Sequence, residues 1–215
     1  MSLLFKDNFL KLPVCFSELL ISNYDNTRFF QSEISSTLFR QFANDYFKPE
    51  NMKKQSPPII LFAQMRDYRK ILNLRQIVDN TKKLRTKLNS DYYVTDLQLE
   101  SLATKQLSRL FSRTRIFVSV SGSSLLNMLW MPRGSTVIEI LPPCLGFGKS
   151  NPRELSIYNH LADQSGHSYV SVVGGVCDAE TLEEAKARKE DDFEVDVSLL
   201  ESHISDVFMG QFHHV

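Results

Sequence analysis

Between Arg115 and Pro143 the chain reads R-I-F-V-S-V-S-G-S-S-L-L-N-M-L-W-M-P-R-G-S-T-V-I-E-I-L-P-P, and this stretch constrains the fold more than any other. Ile116 to Val120 is a short apolar run of branched residues, which predicts a buried strand. Gly122 then offers a sharp turn, and Leu125 to Trp130 predict an apolar helix with either Ser123 or Ser124 as its cap. A second apolar strand follows at Thr136 to Ile140. Free N–H groups of the first helical turn, the positive end of the helix dipole and the serine hydroxyls would converge where the first strand stops, an arrangement suited to phosphate. Any α/β domain has such turns, so the stretch by itself does not establish a ligand.

The rest of the chain repeats the alternation. Strands are predicted at Ile59 to Ala63, Tyr92 to Thr95 and Ser168 to Val172. Helices are predicted from Leu72 to Lys87, Leu99 to Phe111, Glu154 to Gln164 and Ser198 to Phe208. Alternating strands and helices build a parallel sheet covered on both faces, a Rossmann-like α/β domain in which ligands sit at the carboxyl ends of the strands. Residues 1–55 read as a partial N-terminal or hinge extension. A polar, proline-containing linker from Lys48 to Pro58 leads into the main domain, residues 56–215.

Charge and cysteine content remove several function classes. The 25 basic and 25 acidic side chains cancel, so no global field favours nucleic acid or an anionic membrane. Their distribution is uneven. Arg66 to Lys87 is basic and Asp178 to Asp206 acidic, which implies a molecule with one basic end. No apolar run approaches the roughly 20 residues that span a bilayer, and no signal-peptide pattern opens the chain. Cys15, Cys144 and Cys177 are too few for a disulfide framework or a zinc site, though one bridge is allowed. The five histidines show no ligand spacing, so no metal site is expected. Phe62 to Ile71 lacks the glycines of a dinucleotide fingerprint, no G-x-x-x-x-G-K occurs, and Ser121-Gly122-Ser123-Ser124-Leu125 does not form a nucleophile elbow.

Two blocks resemble the family 61 glycosyltransferases. S-G-S-S-L-L-N-M-L-W-M-P-R-G-S-T-V-I-E-I-L-P is similar to that family's H-G-A-G-L-T-N, Met-Pro-x-Gly-Ser step and Glu-ending strand. Arg66-Asp67-Tyr68-Arg69-Lys70-Ile71-Leu72-Asn73, after the strand at Pro58 to Ala63, is similar to its R-x-x-x-R-x-I-x-N. Weaker matches are Val14-Cys15-Phe16, Tyr158 to Tyr169, and Val195-Asp196-Val197, which resembles a closing strand. Ser121 stands where the family usually has His. Members also carry a whole preceding domain, so this chain looks like a fragment or a shortened relative.

The resemblance implies the C-terminal, donor-binding half of a GT-B glycosyltransferase. That half would hold a UDP-sugar and pass xylose, arabinose or N-acetylglucosamine to a glycan or protein acceptor in the Golgi or endoplasmic reticulum lumen, with no metal and no further cofactor. Arg66 and Arg69 would support the departing diphosphate, because an arginine fork can hold two phosphate oxygens at once. Ser121, Gly122, Ser123 and Ser124 would form the phosphate loop. Asn73 either pins backbone or touches ligand, and Asn127 is expected to brace the loop more than to meet the sugar. Glu139, the odd residue in V-I-E-I-L, is either a satisfied strand-end charge or the acceptor for two ribose hydroxyls. Backbone amides from Pro143 to Gly148 would read the uracil edge. Met128, Leu129, Trp130 and Met131 are expected in the core, and Glu194-Val195-Asp196 is expected as a solvated turn and strand. A catalytically inactive pseudo-transferase, kept as a binding or assembly module, is the competing reading.

Overall fold

The computed structural model describes residues 56–145, 157–188 and 190–209. The proposed extension, residues 1–55, lies outside them, as do Cys15 and the predicted helix start at 154–156. Five parallel strands make one sheet in the order β2-β1-β3-β4-β5. They are β1 (Ile59–Ala63), β2 (Tyr93–Leu97), β3 (Thr114–Val120), β4 (Thr136–Leu141) and β5 (Ser168–Val173). The helices are α1 (Leu74–Lys87), α2 (Thr104–Phe111), α3 (Ile157–Gln164), α4 (Leu182–Arg188) and α5 (Val197–Phe208).

Apolar residues on both faces of the strands explain the layering, because a parallel sheet with helices on each side has no solvated face. Ile60, Phe62, Ile116, Val118, Ile138 and Ile140 point to one side, against Leu74, Ile77 and Val78 of α1 and Leu200 and Ile204 of α5. Leu61, Phe117 and Val137 point to the other, against Phe111 of α2, the segment Leu125 to Met131, and Leu161 and Ala162 of α3. Met128, Leu129 and Met131 are buried as expected. The central strands are thus sealed on both sides, and only their carboxyl ends remain for a ligand.

Several elements depart from the sequence reading. The predicted helix from Leu99 to Phe111 is broken into a short 3-10 turn, Leu99–Ser101, and α2. Ala103 lies extended between them, and its N–H is capped by Gln106 Oε1 at 2.8 Å, so α2 starts afresh there. The helix after β3 is a 3-10 helix, Ser123–Trp130, and not an α-helix. Its buried residues are Leu125, Met128 and Leu129, with Met131 just beyond. Pro132 then forces Met131 into an extended conformation and ends it.

The turn itself also differs from expectation. Gly122 has φ 163° and ψ 179°, an extended backbone open to any residue, and a Cβ there would meet only the Val120 carbonyl at 3.9 Å. Glycine is therefore not required for the turn. Neither serine caps the helix, since no side chain caps it at all. α4 had no counterpart in the sequence reading, because only Ala185 of its seven residues is buried and no apolar period marks it.

The acidic C-terminal part supplies a clasp. Phe193 forms a parallel bridge to Ile71, donates its N–H to the Lys70 carbonyl and accepts from Leu72 N–H, at 3.0 and 2.8 Å. Lys70 N–H donates to Asp192 Oδ1 at 2.8 Å. The Val195-Asp196-Val197 block is thus not a closing strand of the sheet. Asp196 caps α5, accepting from Ser198 N–H, Ser198 Oγ and Leu199 N–H, and these bonds hold its carboxyl below the usual carboxylate range. Nor are the charged segments simply segregated, since acidic residues 190–192 lie on basic residues 69–70.

Gly174 makes this clasp fit. A Cβ built on it would lie inside the van der Waals envelope of the Phe193 ring, which is buried in the core. Gly174→Ala is accordingly expected to destabilise the fold by about 1–3 kcal/mol, the usual cost of overpacking, read as a lowered urea midpoint at unchanged slope. An unchanged midpoint would mean that the ring has room to move.

Candidate functional site

The chain leaves β1 through α1 towards β2 on one side, then returns across the sheet to β3 on the other. α1 covers one face and the 3-10 helix after β3 the opposite one, so the loops after β1 and β3 separate above a crevice. In open α/β sheets such a switch point is where ligands bind. Both sequence blocks end there.

Arg69 is the residue that joins them. Its backbone lies in the left-handed region at φ 54°, an uncommon conformation for a side chain of this kind. The Arg69 N–H donates to the Glu190 carbonyl at 3.1 Å, which holds the residue in place. From there the side chain reaches across the crevice. Nη1 donates to the Ser121 carbonyl at 3.0 Å, and Nη2 pairs with Glu190 Oε1 at 2.5 Å. Only 16% of the Arg69 side chain is exposed, and its Nε is buried with no partner among the described residues. The Nε atoms of Arg85 and Arg113 are in the same condition away from the crevice, so it is the two bonded Nη groups that define the placement of Arg69.

The other candidates separate into those that face the crevice and those that brace it. Ser121 contributes its carbonyl, and its N–H donates to the Ile140 carbonyl at 2.8 Å. Leu125 N–H already bonds the Gly122 carbonyl, so the amides of Ser123 and Ser124 are the helix-start donors without an intrahelical acceptor. Ser124 Oγ shares a hydrogen bond with Ser119 Oγ at 2.7 Å. Asn127 Nδ2 donates to the Ser124 carbonyl at 2.8 Å, the bracing expected of it. Asn73 takes the bracing alternative of its two roles. Its Nδ2 donates to the Val195 carbonyl at 2.8 Å, and its Oδ1 accepts from Val195 N–H at 3.1 Å. Arg66 stands apart from Arg69, with 73% of its side chain exposed and Asp67 4.0 Å away. The two arginines do not converge on the glycine segment; one does.

Behind the crevice lies a polar row that the sequence reading captured only in part. Ser119, Glu139 and Ser171 are in register across β3, β4 and β5. They share a face with Phe117 and Val137, one step nearer the carboxyl ends. Glu139 is fully buried and accepts a hydrogen bond from the Tyr169 hydroxyl. Tyr158, at the start of α3, sits close enough to feel Glu139 and Arg69. Burial and the Glu139 charge push its phenol up, against a smaller opposing effect of Arg69. Tyr158 and Tyr169 entered the sequence reading only through a family-like block. Glu190 was missed, because an acidic run reads as solvated surface. The signal available was the complementary charge of Glu190 to Asp192 and Arg69 to Lys70.

Beside the crevice, the Cys144–Cys177 disulfide joins the segment after β4 to the segment after β5. This is the one bridge that the cysteine count allowed. The backbone assigned to the uracil edge begins here, at Pro143, and its part from 146 to 148 lies outside the described residues. Among the described residues, no three His, Cys, Asp or Glu side chains come together as a metal site. No described helix is long and apolar enough to cross a membrane.

A covered parallel sheet with an arginine set in its switch-point crevice defines a Rossmann-like α/β domain. Residues 4–138 match the family model described as Glycosyltransferase 61. The chain belongs to the glycosyltransferase 61 family, and with that to the sugar transferases. It is 26% identical over 140 residues to the EGF domain-specific O-linked N-acetylglucosamine transferase of Gallus gallus, covering 59% of this chain and 26% of that protein. It is 28% identical over 140 residues to Protein O-linked-mannose beta-1,4-N-acetylglucosaminyltransferase 2 of Canis lupus familiaris, covering 62% of this chain and 22% of that protein. The chain therefore spans about a quarter of the length of these relatives.

Proposed function

We propose that this chain carries the nucleotide-sugar donor site of a GT-B glycosyltransferase, with the diphosphate of a UDP-sugar seated in the crevice between β1 and β3. The observation that carries the reading is Arg69, a mostly buried guanidinium that crosses from the loop after β1 to the Ser121 carbonyl after β3, just ahead of the helix-start amides of Ser123 and Ser124. In sugar transfer the bond from the anomeric carbon to the diphosphate breaks, and negative charge grows on the departing oxygen. Donors fixed before the reaction lower that barrier without reorganising. Arg69 and the two amides would supply such donors with no metal ion. Arg66, at the crevice rim, would add a second, solvated charge.

The ribose role offered for Glu139 does not suit its position, since the carboxylate is fully buried behind the crevice with the Tyr169 hydroxyl on it, and Glu139 would act there as a buried charge under the site. The amides following Pro143 would read uracil. N-Acetylglucosamine is the sugar that the relatives' names favour, with xylose or arabinose as the pentose choices, and the acceptor is a hydroxyl on a glycan or protein. A disulfide in a described loop suits an oxidising compartment such as the Golgi or endoplasmic reticulum lumen.

Calorimetric titration of the folded chain with UDP tests this directly. Saturable single-site binding is expected, weaker for GDP, weakened by salt and indifferent to EDTA. Folded protein that does not bind UDP would overturn the donor-site reading and leave the inactive pseudo-transferase in its place.

A further inference from the structure

We infer that Glu190 is a positioning residue, which fixes the Arg69 guanidinium across the crevice before the donor arrives; this rests on the donor-site reading. Three observations lead there. The guanidinium is gripped at both ends by segments far apart in sequence, with the Ser121 carbonyl on Nη1 and Glu190 Oε1 on Nη2. Glu190 also holds the arginine main chain, whose left-handed φ aims the side chain over β3, through its own carbonyl. Finally, the backbone of the clasp does not depend on the Glu190 carboxylate. Asp192 with Lys70, Phe193 with Ile71 and Val195 with Asn73 anchor it separately.

An arginine side chain loses rotamer freedom when it is immobilised. If that loss occurs on folding, it is not charged again on binding, and affinity rises with no new contact to the ligand. Glu190 itself is 42% exposed, so its carboxylate is hydrated on one side and acts on the ligand through Arg69. An oxygen acceptor at this place, charged or neutral, is what the geometry requires.

The test is a double-mutant cycle on UDP affinity, with thermal melts of every variant. Glu190→Ala is expected to weaken UDP binding about 5- to 20-fold, and Glu190→Gln, which keeps the acceptor oxygen, to restore most of the loss. In an Arg69→Ala background, Glu190→Ala should have no further effect on affinity. A purely structural Glu190 would lower the melting temperature and weaken binding equally in both backgrounds, which would overturn the inference. So would wild-type affinity in Glu190→Ala, or a Glu190→Gln variant as weak as Glu190→Ala. Each of those results leaves UDP binding by the wild type intact. Failure of the wild type to bind UDP is the separate result that removes the donor site, and this inference with it.

Discussion

Arg69→Ala is expected to lower UDP affinity roughly 10- to 150-fold, the effect of losing charge-assisted hydrogen bonds worth about 1.5–3 kcal/mol, while the protein still folds. The binding loss follows from the placement of the guanidinium at the Ser121 carbonyl, next to the amides of Ser123 and Ser124. No other described cation bridges the two loops of the crevice. Stability should change far less. Glu190 loses its partner but is 42% exposed and rehydrates, so the ion pair contributes no more than about 1 kcal/mol. The left-handed backbone at position 69 is as unfavourable for Ala as for Arg, so that conformational cost cancels between the two proteins.

Two companions sharpen the experiment. Arg69→Lys should recover little, because an ammonium cannot reach the Ser121 carbonyl and Glu190 together while offering a planar fork to phosphate. Arg66→Ala should change affinity by less than about threefold, since its solvated side chain gives only a screened attraction. Equal losses for Arg66 and Arg69 would mean that a diffuse basic rim binds the nucleotide, and not one arginine in a crevice.

The contrast between those two arginines marks the limit of what this sequence discloses. Three apolar runs identified β1, β3 and β4, since residues buried on both faces have to be hydrophobic, and alternation supplied the partly exposed edge strands and the layers. The prediction that both blocks end at strand termini placed Arg69 and Ser121 on one rim. Strand order, which turns that rim into a switch point, is a long-range property with no local signature. Arg66 and Arg69 looked equivalent because spacing separates side chains only on a regular element, and the segment from Met65 to Asn73 is irregular. What distinguishes them is contact with residues 190 and 121, far along the chain.

Local chemistry misled in two further places. S-G-S-S suggested a glycine turn and a serine cap, yet Gly122 is extended and Ser124 turns inward to Ser119. Residues 125–131 are apolar at every position but Asn127, so no period in them separates a 3-10 helix from an α-helix over so short a run. Sequence alone allows Glu139 and Asn73 two roles each. For Asn73 the backbone of Val195 decides between them, because both ends of its amide are engaged there.

Removing the Cys144–Cys177 bridge should have the largest effect on stability. The crosslink closes a loop of 33 residues, and the chain-entropy model puts its contribution at about 3–4 kcal/mol. Over a domain of this size that is a fall in melting temperature of roughly 6–15 °C. The bridge joins the two segments that emerge from β4 and β5 at the ligand end of the sheet, and Cys144 packs with Ala179 and Ala185 in a small cluster of its own. With no larger core beneath it, α4 depends on this link more than the sheet does. A Cys144→Ala/Cys177→Ala variant should therefore melt earlier than the wild type. Reducing agent should bring the wild type down towards the variant and leave the variant unmoved, a comparison that separates the crosslink from any packing lost with the sulfur atoms. UDP affinity of the still-folded variant should fall less than that of Arg69→Ala, because the guanidinium keeps its bonds to the Ser121 carbonyl and Glu190. If reduction leaves the wild-type melt unchanged, the bridge contributes nothing to the folded state, and the argument from it to an oxidising compartment falls as well.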